Sequence, residues 1–160
     1  MRNEVNKYVA AELSLEVQVA EGFRCPAERV YDAWLDPGLI SQWMFGPRLR
    51  EEKIIHIRTG KVIGDTFSFL VERQGNRIDH VGKYLEMVRP TRLVFSWDIG
   101  AYSEASSQVL IDIVANDSGC SLKLNHRMDI QWQDYSDRTR DAWSNMLGVL
   151  AEILDENSGI

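Results

Sequence analysis

The side chains here that could do chemistry are three histidines, a few placed carboxylates and a large set of aromatics. His126 shares the parity of Leu122, Leu124 and Met128, while Ser121, Lys123, Asn125 and Arg127 take the other. An imidazole on an apolar face can orient a polar group or move a proton near neutral pH. It can equally be a core histidine satisfied by one neighbour. His80 shares its parity with Gly82 and Tyr84. The opposite parity holds Asp79, Val81, Lys83, Leu85 and Met87, so the period leaves the inward face open. A glycine between His80 and Tyr84 would leave room for a ligand or a helix, or would only ease the twist of the strand. His56, beside Lys53 and Arg58, reads as a surface position. No His-x-x-x-His or His/Cys spacing occurs, so no metal is expected. No Ser-His-Asp order, nucleophile elbow, phosphate loop or acidic cluster occurs, so no cofactor is expected either. Asp98, between Trp97 and Ile99-Gly100, reads as a strand-end turn residue.

The elements that must position these groups follow from period and punctuation. Leu13, Leu15, Val17 and Val19 alternate with polar residues, which is a strand with one wet face. Pro26 and Glu28 open a short helix, with Val30, Tyr31, Ala33 and Trp34 on its apolar side. Asp36-Pro37 breaks it, and a second short helix runs to Trp43 before Gly46-Pro47. Strands are predicted at about 51–58, 65–73, 77–88, 92–98, 106–115 and 120–128, separated by turn residues such as Gln74-Gly75-Asn76 and Asn116-Asp117-Ser118-Gly119. Short connections imply antiparallel pairing. From about Asp134 to Asn157 the period becomes helical. Trp143, Met146, Leu147, Leu150 and Leu154 form the central stripe, widened by Ala142, Val149, Ile153 and Ala151. An apolar arc that wide suits a groove, so one long helix held by a curved sheet is the economical assembly.

Composition bounds the function. The chain of 160 residues is 44% hydrophobic and 26% charged, values of a globular domain, with no repeat or linker, and is read as a single domain over residues 1–160. Residues 1–10 are polar and read as frayed. With 24 acids against 18 bases, net −6, nucleic acid is disfavoured. Charges throughout the first twenty residues argue against a signal peptide, and no run approaches a membrane span, so a cytoplasmic location is expected. Cys25 and Cys120 lack ligand spacing and read as buried thiols.

The order strand, two short helices, six strands, long helix resembles the START-like (SRPBCC) topology. The closer resemblance is to the branch named after the activator of the heat-shock chaperone ATPase. It is carried by Pro26-Ala27-Glu28-Arg29-Val30-Tyr31-Asp32-Ala33-Trp34, Asp36-Pro37, Trp43 and Gly46-Pro47. Further along are Gly82-Lys83-Tyr84-Leu85-Glu86, Pro90 to Trp97, Gly119 to Leu124 with His126, and Ala142-Trp143 with Leu147 and Leu150. The sequence departs from it at Cys120, where Thr is common, and at Ala142, where Gly is common. The resemblance implies an α+β helix-grip fold of about seven antiparallel strands, with an apolar cavity between sheet and long helix. The side chains then expected at the cavity are Trp34, Trp43, Phe45, Phe67 and Phe69 from the first half of the chain. His80, Tyr84, Phe95 and Trp97 follow from the middle strands, and His126, Met128, Trp143, Met146 and Leu147 from the end. Trp43 and Phe45, flanking Gly46-Pro47, would act as a gate if exposed, and are otherwise core side chains. Asp98, if it stands at the cavity mouth rather than in a turn, would have a raised pKa. The resemblance also implies that the first and last strands pair antiparallel, which brings Cys25 near Cys120 and makes a disulfide conceivable.

Three functions compete, because fold alone selects none. The first is binding of a small hydrophobic or aromatic molecule in the cavity. The second is a small cyclase, isomerase or hydrolase using His126 or His80. The third is an interaction module with a chaperone partner. Exposed sheet edges leave a homodimer open.

Overall fold

The computed structural model describes residues 13–100 and 107–158. The frayed segment expected at 1–10 lies outside them. The elements run β1 (Leu15–Phe23), α1 (Ala27–Ala33), α2 (Pro37–Trp43), β2 (Lys53–Arg58), β3 (Thr66–Arg73), β4 (Asn76–Val88), β5 (Arg92–Ile99), β6 (Ser107–Asn116) and β7 (Gly119–Met128). A 3-10 turn (Ile130–Tyr135) then leads into α3 (Ser136–Ser158). The strands form one antiparallel sheet in the order β1-β7-β6-β5-β4-β3-β2, with α3 packed against it: an α+β helix-grip fold. β1 and β2 are its edges.

Sequence period accounts for most of this. Along β7, Cys120, Leu122, Leu124, His126 and Met128 are buried, and Ser121 and Lys123 are exposed. On α3, Trp143, Met146, Leu147, Leu150, Ile153 and Leu154 are buried, while Ser144, Asn145, Glu152 and Asp155 face water. Each such side chain contributes roughly 1.5–3 kcal/mol by leaving water. Asp36 caps α2, its carboxylate accepting from the Gly38 and Leu39 amides at 2.9 and 3.2 Å. β1 extends past Val19 to Phe23, because its partner β7 continues back to Cys120 and supplies hydrogen bonds along that whole length. The closing helix starts two residues later than its period predicts, since Asp129 caps a 3-10 turn that carries the chain round first.

The inward face of β4 is settled by a bulge. Pairing with β5 shifts register between Tyr84 and Glu86. Before the bulge the even residues point in, so His80 and Tyr84 are buried; after it Met87 packs on the core. An extra residue in one strand inverts the side-chain alternation, which a period-two reading cannot anticipate. Gly82 leaves room for neither a ligand nor the helix. A Cβ there would lie 1.9 Å from the Ser96 carbonyl oxygen and 2.5 Å from Phe67 Cζ, so the missing side chain lets β5 and an aromatic ring close in.

β1 and β7 pair antiparallel, with Phe23 opposite Cys120. Cys25 and Cys120 are nevertheless free, buried thiols. Burial pushes Cys120 up to about 11, and the neighbouring Cys25 adds to the rise, so neither thiolate forms readily.

Candidate functional site

A cavity of about 930 Å³ opens between the first half of α3 and the sheet. That lies within the range of small-molecule sites, roughly 300–1,000 Å³. Ala142, Trp143 and Met146 come from α3, and Gln131 and Trp132 from the 3-10 turn. Met44 and Phe45 follow α2; Arg73, His80 and Trp97 to Ile99 belong to β3, β4 and β5; Ser107, His126 and Met128 sit at the adjoining ends of β6 and β7. Thr139 and two further arginines, Arg50 and Arg138, complete the wall.

The expected set therefore divides. Phe45, His80, Trp97, His126, Met128, Trp143 and Met146 line the cavity. Trp34, Trp43, Phe67, Phe69, Tyr84, Phe95 and Leu147 are buried but do not line it. These side chains fill the neighbouring space with ring contacts: Trp34 on Trp43 at 4.7 Å, Phe67 on Phe69 at 4.8 Å and Tyr84 on Phe67 at 5.4 Å. Tyr84, pushed up to about 12 by burial, belongs to that packing. Trp43 is no exposed gate. It is fully buried, and its indole N–H, which needs an acceptor there, donates to the Ala33 carbonyl at 3.0 Å. Phe45 is buried too, its ring 5.0 Å from His80. Among the described residues the exposed large apolar groups on the lining are Ile99 and Trp132.

The two buried histidines have different hydrogen-bond chemistry. Indole nitrogen only donates, so Trp143 Nε1–H, 3.0 Å from His126 Nδ1, makes that nitrogen the acceptor. The proton of neutral His126 is then on Nε2, which donates to Ser107 Oγ at 2.7 Å. Ser107 in turn donates to the Trp97 carbonyl at 2.6 Å. The chain ends on a main-chain oxygen, so a proton has no onward route. Burial lowers the His126 pKa to about 3. His126 is a neutral strut joining α3 to β5 and β6.

His80 Nδ1 is 3.0 Å from the Phe69 carbonyl and must donate to it, which leaves Nε2 as an acceptor. Burial lowers its pKa below 6.5 against the pull of that carbonyl bond, and the charge of Arg73 acts with burial. His56 is not a bare surface group. It is half-buried, Nε2 lying 2.9 Å from Ser68 Oγ, which donates to Asp79 at 2.7 Å.

The basic wall was not foreseen. Glu52, its side chain wholly buried, takes Arg73 Nε at 2.5 Å, Arg50 Nη1 at 3.0 Å and the Gly46 amide at 2.9 Å. Burial alone would raise its carboxyl, but these bonds, Arg73 first, hold it below 4.5. The sequence carried a signal for Arg73, which continues the inward parity of Phe67, Phe69 and Val71 on β3. Arg50 lies outside any strand and gave none. Asp98 is in β5, paired with Val81, and is among the lining residues.

Among the described residues no group of histidine, cysteine and carboxylate side chains is arranged to hold a metal, and no helix is long and apolar enough to cross a membrane.

No curated protein matches the chain. Solved structures do. A protein from Nitrosomonas europaea has a TM-score of 0.78 at 16% identity, over 94% of this chain and 100% of that one. An AHSA1-like protein from Aeromonas hydrophila gives 0.73 at 18%, covering 89% and 94%. A protein from Chromobacterium violaceum gives 0.73 at 19%, covering 86% and 95%. At such identities these likenesses speak for the fold. The family model described as "Activator of Hsp90 ATPase homolog 1-like protein" matches residues 24–155, from just before α1 to near the end of α3, and the chain belongs to that family.

Proposed function

We propose that this protein binds a small hydrophobic molecule, preferably aromatic, in the cavity between α3 and the sheet. The observation that carries the reading is the cavity itself: about 930 Å³, walled by Phe45, Trp97, Trp143, Met44, Met128 and Met146, with a few polar groups at fixed places. Aromatic walls give a flat ligand large contact area, and methionines adapt to its outline. His80 Nε2 is placed to accept from a ligand hydroxyl or N–H. Catalysis by His126 is disfavoured by the same geometry, since both ring nitrogens are committed and the bonded chain stops at a carbonyl. A chaperone partner, as the family name suggests, would need a protein-facing surface rather than this cavity.

The test uses N-phenyl-1-naphthylamine, an uncharged dye that brightens in apolar surroundings. Saturable binding is expected in the wild type, and marked weakening in Ala142→Trp, which sets a bulky ring on the cavity wall, with the thermal midpoint retained. No saturable binding, or equal binding by a folded Ala142→Trp, would refute the reading and turn attention to a protein partner. Where the dye binds, native mass spectrometry of protein from its own host identifies what the cavity carries.

A further inference from the structure

The cavity wall is basic in an acidic protein. The chain has a net charge of −6, yet among the described residues the charged side chains on the lining are Arg50, Arg73 and Arg138 and the carboxylate of Asp98. Their order in depth is as telling as their number. Glu52 is absent from the lining and its side chain has no exposure, whereas Arg50 and Arg73 are about a third exposed, at 31% and 30%. The carboxylate thus stands behind the two guanidinium groups and holds them, and they face the cavity. One carboxylate shared by two arginines gives this group of three a net charge of one positive unit, and among the described residues neither arginine pairs with a second carboxylate. Donors are left over as well. Among the described residues Arg73 commits Nε alone, and Arg50 commits Nη1 to Glu52 and, at 3.5 Å, to the Met44 carbonyl. A guanidinium has five N–H donors in a planar fork that matches a carboxylate.

This charge lies beside the aromatic wall. His80 feels Arg73 directly, and its ring is 5.5 Å from Trp97 and 5.0 Å from Phe45. A single molecule can therefore touch both. Resting on the binding role proposed above, we propose that the natural ligand is an amphipathic acid. Its apolar, preferably aromatic, body lies against Trp97 and Trp143, and its carboxylate is taken by Arg73 and Arg50. The arginines are binding residues with Glu52 as their positioning residue. An unpaired surface arginine pair would gain little from an anion, but here the guanidinium groups are partly desolvated and held in place, which strengthens charge-assisted bonds and lowers the ordering cost.

The experiment displaces N-phenyl-1-naphthylamine from the wild-type protein at pH 7.5 with 2-naphthoate and, separately, with its methyl ester. These share one ring system and differ in charge. The acid is expected to bind about tenfold more tightly or better, the scale of one charge-assisted hydrogen bond. Arg73→Gln is expected to weaken the acid far more than the ester and so to remove most of that preference. Equal affinities of acid and ester in the wild type overturn the inference while the binding role stands. A preference kept in full by a folded double variant, Arg50→Gln with Arg73→Gln, overturns it too. Failure of the dye to bind at all instead refutes the binding role. Should the variants fold poorly, the wild-type ratio decides alone.

Discussion

Acid should loosen this fold well above the pH at which its carboxylates protonate, because of His126. In the native state its pKa is held at about 3 by burial, against 6.5 when unfolded. Between those values the unfolded chain binds the proton and the native chain does not, so stability falls as pH drops through 6.5 and the loss is complete only near pH 3. Integrating the two titration curves from pH 7.5 to pH 5 gives a loss of about 2 kcal/mol from this one group. His80, also lowered by burial, adds a loss of the same sign. Asp32 and Glu52, lowered by their arginine partners, stabilise above their unfolded values of 3.8 and 4.5, so they are lost mainly below pH 5. Glu21, raised by burial, works in the opposite sense near its own range. Urea unfolding at pH 7.5 and pH 5 measures the effect directly. His126→Gln should lower stability at pH 7.5 yet lose distinctly less than the wild type on going to pH 5. If the variant loses as much as the wild type, or an NMR titration shows the His126 ring protonating near pH 6, the hydrogen-bond chain from Trp143 to the Trp97 carbonyl has been misread.

Other outcomes follow from single side chains. Trp143→Phe keeps the ring but removes the donor to His126 Nδ1; an unpaired buried acceptor costs about 1–3 kcal/mol in a urea melt at pH 7.5. Glu52→Gln leaves Arg50 and Arg73 without their shared counter-charge and should cost on the order of 3 kcal/mol by the same measurement, with the loss shrinking below pH 4. Gly82→Val must displace the Ser96 carbonyl or the Phe67 ring, and a fall of at least about 3 kcal/mol, or failure to fold, is expected; a stable variant would mean that β4 and β5 are not so close. Leu147→Ala, at the fully buried centre of α3, should cost about 2–5 kcal/mol.

Much of the architecture is written locally. Alternation in β7, the wide apolar arc of α3, and the Asp36-Pro37 and Gly119 punctuation each depend on neighbours a few residues away, and these elements lie close to where their residues place them. The aromatic residues were legible as buried, because large apolar side chains leave water wherever the fold allows. Which of them would face open space was not legible. Trp97 and Trp143 line the cavity and Trp34 and Phe95 do not, although all four have the same chemistry, because cavity shape is fixed by how strands hundreds of atoms apart in the chain curve round one helix. The β4 bulge, one residue out of register, decided that His80 points in. The setting of His126 rested on Trp143 and Ser107, 17 and 19 residues away, whose bonds place its proton on Nε2. The basic wall shows the same division. Arg73 could be placed on an inward parity from its strand alone, but a charge on an inward face gains meaning only from what stands behind it, and Glu52 reaches it across 21 residues of chain. Periodicity is a property of short segments and survives in sequence; cavities, proton positions and charge order in depth are properties of contacts between segments, and only the folded chain decides them.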